Sequence, residues 1–253
     1  ELHYNDKNLI EKVIRALSLL EMLVKAGCPL VFKGGTALML ILGKSAHRLS
    51  IDIDLICPPG TNIEDYLKSF ADFGFINLEL VERKQRDDAD IPKSHSKFFY
   101  QIAYRNDTDA QSYILLDVLY EDIHYFRTQQ IAINCPFIRL EGKPLMVTVP
   151  SAEDILGDKL TAFAPNTTGI PYYKNGRSCS MEIAKQLYDV GRLFENVSDL
   201  QITKEAFRKI AVVELSYRSF GTDIGQVFND IRQTALCIST RRSEERRVGK
   251  ECR

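Results

Sequence analysis

Residues 48–60, RLSIDIDLICPPG, alternate Ser50, Asp52 and Asp54 with Ile51, Ile53 and Leu55. In an extended chain, residues i, i+2 and i+4 point the same way. One hydroxyl and two carboxylates therefore share a face, with neighbouring side chains about 6–7 Å apart. Carboxylates at that separation can share one divalent ion or bracket two. Oxygen-only ligands suit Mg²⁺ or Mn²⁺ better than zinc. A half-exposed strand with a solvated polar face gives the same pattern, so the surrounding residues must decide.

Upstream, FKGGTAL (32–38) reads as a strand, a glycine turn and a helix start. Helix N-termini offer free N–H groups and a positive dipole end, and glycines let a phosphate approach the backbone. Thr36 can cap that helix or meet phosphate with its hydroxyl. LMLILGKS (38–45) ends like a P-loop, but Leu38 stands where the first glycine must be and the run before Gly43 is helix interior, which excludes that motif. A third acid, Asp117, interrupts the apolar strand YILLDVLY (113–120). With Leu115 and Leu119 at i±2, Asp117 is expected to face inward, as a third metal ligand or as a buried acid satisfied by the backbone.

The elements that position these groups follow from hydrophobic spacing. Ile10, Val13, Ile14, Leu17, Leu20 and Leu23 recur at threes and fours, predicting a helix over 7–27 that stops at Gly27. Thr61 is expected to cap a helix over 62–74. Between 76 and 148, INLELVER, KFFYQIAY, SYILLDVLY, QQIAINC and PLMVTV read as strands. Ser151 opens a further helix with Asp154 in an imperfect capping box. The loop 164–178 breaks the chain, and three more helices follow. The expected architecture is an α+β domain over 1–150, with a mixed sheet flanked by helices. A helical bundle over 151–240 follows, then a tail over 241–253 that reads as disordered or vector-derived.

At 45% hydrophobic and 26% charged residues, the 253-residue composition is that of an ordinary globular protein. The net charge of −1 hides an asymmetry. Six Lys/Arg against three Glu in 241–253 leave the rest of the chain near −4, so RNA binding would need a local basic patch. RKQRDDADIPKSHSK (83–97) and YYKNGR (172–177) are the candidates, each also readable as a solvated loop. The polar start and the lack of a long apolar run predict no signal peptide and no membrane span. Six scattered cysteines without a C-x-x-C pair predict neither a zinc site nor a disulfide framework, which fits a cytoplasmic setting.

KGGTAL followed by RLSIDIDL resembles the nucleotidyltransferase fold. Within that fold it resembles the AbiEii/AbiGii toxin family of type IV toxin–antitoxin and abortive-infection systems. SAEDILGDKLTAF (151–163) looks like that family's lysine-bearing helix, with Lys159 in the key position. AKQLYDVGRLF (184–194) is similar to its last acidic helix, with Asp189 as the final acid. The likeness spans about residues 8–195 in the family's order. The last motif departs from the family form, lacking its first acid and carrying Val190 for the usual Leu.

The resemblance implies that Lys33, Gly34, Gly35 and Thr36 cradle the phosphates of an NTP, with Arg48 and Ser50 contacting phosphate. Asp52, Asp54 and Asp117 would hold Mg²⁺ or Mn²⁺, Asp117 alternatively serving as general base. Lys159 would neutralise the triphosphate, and Asp189 would order the nucleotide or the acceptor. Ser50, Asp52, Asp54, Asp117, Lys159 and Asp189 form the expected catalytic set. Plain surface pairing of Lys159 with Glu153 or Asp154, and of Asp189 with Lys185, is the simpler alternative. The implied reaction moves a nucleoside monophosphate from an NTP to an acceptor hydroxyl, with a tRNA 3′ end as the expected acceptor. Growth arrest is the expected outcome, and the expected antitoxin need not form a stable complex. The competing readings are a nucleotidyltransferase or phosphotransferase acting on a small molecule or protein, and a catalytically idle NTP-binding partner module.

Overall fold

Asp6 starts the first helix by accepting hydrogen bonds from the Asn8 and Leu9 N–H groups. The helix, α1, runs Lys7–Lys25 and buries Val13, Ala16, Leu17, Leu20 and Leu23 along one stripe. It ends where Gly27 takes φ +75° and the Cys28 N–H returns to the Leu23 carbonyl, a closure that left-handed glycine makes easy. The structure, a computed structural model, describes residues 6–80, 92–103, 110–217 and 223–240. The expected tail over 241–253 lies outside the described residues.

Up to Ser151 the described residues form one compact unit. Its centre is a sheet of β1 (Val31–Lys33), β2 (Ile53–Cys57), β3 (Asn77–Leu80), β4 (Lys93–Gln101) and β5 (Gln111–Tyr120), in the order β1-β2-β5-β4-β3. Only β2 and β5 run parallel. The mixed sheet with its helices is the α+β architecture that the sequence predicts. β6 (Thr128–Ala132) and β7 (Met146–Pro150) form a separate antiparallel pair. Along β5, Ile114, Leu116 and Val118 are buried against the core while Leu115, Asp117 and Leu119 are only half-buried. Asp117 therefore does not face inward as expected. Its core neighbours are at i±1, and the i±2 leucines share its more open side.

Other local differences have physical causes. The helix expected over 62–74 is two short 3₁₀ turns, Ile63–Tyr66 and Phe70–Phe73. Thr61 does not cap it, because its hydroxyl donates to the Pro58 carbonyl at 2.7 Å and closes the preceding turn. β4 begins at Lys93, inside the polar run KSHS, which has no apolar alternation to announce a strand. The helix α2 (Gly34–Leu42) begins at the glycines themselves rather than after them. Cys28, Cys57, Cys135 and Cys179 are free and buried, while Cys237 is disulfide-bonded. Hydrogen bonding to Cys57, reinforced by burial, raises the Cys28 thiol well above its usual range.

From Ala152 the described residues form a second, helical unit. It contains α3 (Ala152–Ala162), α4 (Ser180–Phe194), α5 (Leu200–Ser216) and α6 (Ile224–Ser239). A Cβ on Gly157 would stand 2.7 Å from the Phe207 backbone nitrogen, so α3 and α5 pack closely only because this residue is glycine. Part of the expected loop 164–178 is a small hairpin, β8 (Tyr173–Lys174) and β9 (Arg177–Ser178). Asn175 and Gly176 turn it with φ +53° and +76°, the primed geometry that an Asn-Gly pair favours.

Candidate functional site

Strand register assembles the site in the first unit. Lys33 on β1 pairs with Asp54 on β2, Asp54 with Asp117 on β5, and Asp117 with His95 on β4. Directly paired residues on strands about 4.8 Å apart present their side chains to the same face. A cation, two carboxylates and an imidazole therefore stand in one row across four strands. Like charges directly opposite one another destabilise a sheet. A fold that keeps Asp54 beside Asp117 holds negative charge where a cation would be welcome.

Asp52 precedes β2 by one residue, is exposed and follows the alternation that half-buries Asp54 and buries Ile53 and Leu55. Within the row, Asp117 is 37% exposed at its side chain and His95 only 7%, with His95 Nδ1 and Asp117 Oδ1 2.5 Å apart. His95 is the site residue that sequence reasoning missed. It lies in KSHSK, and only the β4–β5 register brings it to Asp117.

The glycines form the wall beside this row. Gly34 has φ +79°, and a Cβ there would overlap the Asp54 carboxylate. A Cβ on Gly35 would stand 2.7 Å from Ser50 Oγ and 3.1 Å from Arg48 Nη2. Backbone alone fits between the α2 start and the polar strand, which brings Ser50, Arg48 and Asp54 up against the first turn of α2. The N–H groups of that turn have no partner inside the helix, and the helix dipole favours an anion there. Thr36 is fully buried, and its hydroxyl donates to the Asp52 carbonyl at 2.7 Å. The hydroxyl thus ties α2 to the acidic stretch.

For a divalent cation Asp52 and Asp54 already offer a fit as a pair. Among the described residues no group of three His, Cys, Asp or Glu side chains is arranged to hold a metal ion. Mg²⁺ commonly takes one or two carboxylates and completes its shell with water and substrate phosphate oxygens. Asp52 and Asp54, on one face beside the glycine wall, suit that mode. Asp117 has one oxygen committed to His95.

The second unit brings together the other two expected residues. Lys159 on α3 pairs with Asp189 on α4 at 3.0 Å and donates to Gln186 Oε1 at 3.0 Å. Lys159 is 11% exposed at its side chain and Asp189 2%, so this is a buried pair rather than a surface one. Of the basic candidates, the YYKNGR hairpin exposes Tyr173 and Arg177, whereas residues 83–91 of the 83–97 stretch lie outside the described residues.

A mixed sheet with clustered acids beside a glycine-opened helix defines a class of protein built for phosphate chemistry. The family of the nucleotidyl transferase AbiEii toxin of type IV toxin–antitoxin systems matches residues 16–242, and the chain belongs to that family. It is a nucleotidyltransferase. Among solved structures, MenT4, a nucleotidyltransferase toxin from Mycobacterium tuberculosis, is 14% identical and has a TM-score of 0.51, with 96% of this chain and 86% of that chain covered. JHP933 from Helicobacter pylori is 17% identical with a TM-score of 0.43, covering 98% and 92%. At these identities the MenT4 likeness speaks to the fold. No curated protein matches the chain. Among the described residues, no helix is long and apolar enough to cross a membrane.

Proposed function

We propose that this chain transfers a nucleoside monophosphate from an NTP to a hydroxyl of an RNA acceptor, with a tRNA 3′ end as the leading candidate. The observation that carries this reading is the row Lys33–Asp54–Asp117–His95 beside a helix start that only glycine can line. Gly34 and Gly35 would present the α2 N–H groups to the phosphates, with Arg48 and Ser50 closing the same cradle. Lys33, at the N-cap of α2, adds positive charge. Asp52 and Asp54 would hold Mg²⁺ or Mn²⁺. When bound, such an ion neutralises phosphate charge and eases ionisation of the attacking hydroxyl.

Asp117 is assigned to the acceptor. One of its oxygens is hydrogen-bonded to His95, which leaves the other to take the proton of the attacking hydroxyl. The hydroxyl oxygen then bonds to the α-phosphorus, the bond to the bridging oxygen breaks, and pyrophosphate leaves. Lys159 is assigned to the triphosphate on motif order. Asp189, its ion-pair partner, is assigned to ordering the nucleotide or the acceptor, also on motif order. Positioning and charge stabilisation supply most of the rate enhancement in such chemistry.

The family name implies an antitoxin, and we place the chain opposite one without requiring a stable complex. A cytoplasmic setting follows from an NTP and an RNA as substrates. The test is incorporation of each α-³²P-labelled NTP into total RNA with Mg²⁺, comparing wild type with Asp52→Ala. Label on a tRNA-sized band from wild type alone supports the reading and names the base. Folded protein that binds NTP yet labels no RNA moves the weight to a small-molecule acceptor.

A further inference from the structure

We propose that His95 is the positioning residue of the reaction, orienting the Asp117 carboxylate toward the acceptor; this rests on the reading of Asp117 given above. Three observations carry it. His95 and Asp117 are register partners on adjacent antiparallel strands, so the backbone holds them side by side. Nδ1 and Oδ1 are 2.5 Å apart, within hydrogen-bond reach. Burial is asymmetric, the imidazole being 7% exposed and the carboxylate 37%. The histidine is therefore the enclosed member and the acid is the member that meets substrate.

A buried imidazole with one job fixes a carboxylate well. Neighbouring Ser94 is itself engaged with Tyr120, at 2.8 Å between the two hydroxyls, so it makes a poor substitute partner. With the proton on Nδ1, the imidazole would donate to Oδ1, stopping the carboxylate from rotating and leaving its second oxygen as the acceptor of a proton. Without His95, Asp117 loses its orientation. Residues that orient metal-ligating side chains contribute about ten- to a hundredfold, and the same scale is expected for one that orients a base.

Two replacements reach differently from Cβ. The amide nitrogen introduced by His95→Asn falls where Nδ1 stands, whereas that of His95→Gln extends to where Nε2 stands. The experiment measures steady-state NMP transfer, Mn²⁺ affinity by electron paramagnetic resonance and the imidazole N–H proton by NMR in wild type, His95→Ala, His95→Asn and His95→Gln. His95→Ala and His95→Gln are expected to lose about ten- to a hundredfold in kcat, with the KM for NTP and the Mn²⁺ affinity little changed. His95→Asn is expected to recover most of that loss. A downfield N–H resonance is expected in wild type and absent from Asp117→Ala. Asn no better than Gln at matched melting temperature, or a wild type without the downfield resonance, overturns the assignment. A wild type that transfers no nucleotide but keeps the resonance, lost in Asp117→Ala, sinks the proposed reaction while the pair itself stands.

Discussion

Asp117 in the sheet and Asp230 in the helical unit are both acids with hydrogen-bonded carboxylates, yet they are satisfied in opposite ways. Asp230 is 6% exposed and accepts from the Asn166 N–H and amide at 2.8 Å each, from Thr167 Oγ1 at 2.9 Å and from Thr234 Oγ1 at 3.5 Å. Both of its oxygens are filled by neutral donors, tying α6 to the loop after α3. Asp117 sits open beside another carboxylate and shares one oxygen with a histidine. A structural acid has its lone pairs met by the protein, while a working acid is left with capacity to spare and a like charge beside it. The sheet tolerates that repulsion, and the helical unit has nothing comparable at Asp230.

The contrast predicts opposite phenotypes. Asp54→Asn is expected to abolish transfer by roughly a thousandfold or more, the scale on which a lost metal-side carboxylate or transition-state stabiliser acts. Its melting temperature should hold or rise, because removing one of two facing carboxylates relieves repulsion of about 0.2–1 kcal/mol. Asp230→Ala should do the reverse. It leaves four donors without their acceptor and is expected to cost about 3 kcal/mol of stability by urea unfolding, with transfer per folded molecule intact. If Asp54→Asn destabilised as much as Asp230→Ala, the acid row would be structural and the comparison would fail.

Two glycines sharpen the point at smaller scale. Gly34 and Gly27 have nearly the same positive φ, +79° and +75°. A Cβ on Gly34 would run into Asp54, whereas Gly27 has nothing within 4 Å. Gly27→Ala should therefore cost only the left-handed strain, about 1 kcal/mol, and leave transfer unchanged. Gly34→Ala adds a clash with the acid and should lower transfer by about a hundredfold. Equal effects of the two substitutions on transfer would mean that the glycine wall only turns the chain.

Much of this was legible before the fold was known, because local patterns carried it. The alternation across 50–55 put Asp52 and Asp54 on one face, and GGT announced a helix start. What the sequence hid was pairing between distant segments. Nothing in KSHSK marks His95, and Asp117 was misjudged as inward because neighbours at i±2 identify a face without saying which face is the core. Asn175-Gly176 is a hairpin signal set in a polar run that otherwise reads as loop. Thr61 and Thr36 show the other limit. A hydroxyl near a helix start can cap, bind a ligand or bond a carbonyl, and composition alone does not choose.

Thr36 offers the finest test of that choice. The sequence leaves its hydroxyl free to meet phosphate, but the structure spends it on the Asp52 carbonyl in a fully buried position. Thr36→Val keeps shape and removes the donor, so the expected cost is about 1 kcal/mol of stability from the lost hydrogen bond. Transfer should fall only a few-fold, through a small drift of Asp52, with the KM for NTP nearly constant. Thr36→Ser should recover the hydrogen bond and with it the catalytic loss, while giving up some packing where the methyl was. A large rise in KM in Thr36→Val, reversed in Thr36→Ser, would instead put the hydroxyl on phosphate and return this residue to the ligand side of the comparison. Constant KM keeps the hydroxyl on the Asp52 carbonyl, as a group that builds the site without touching the nucleotide.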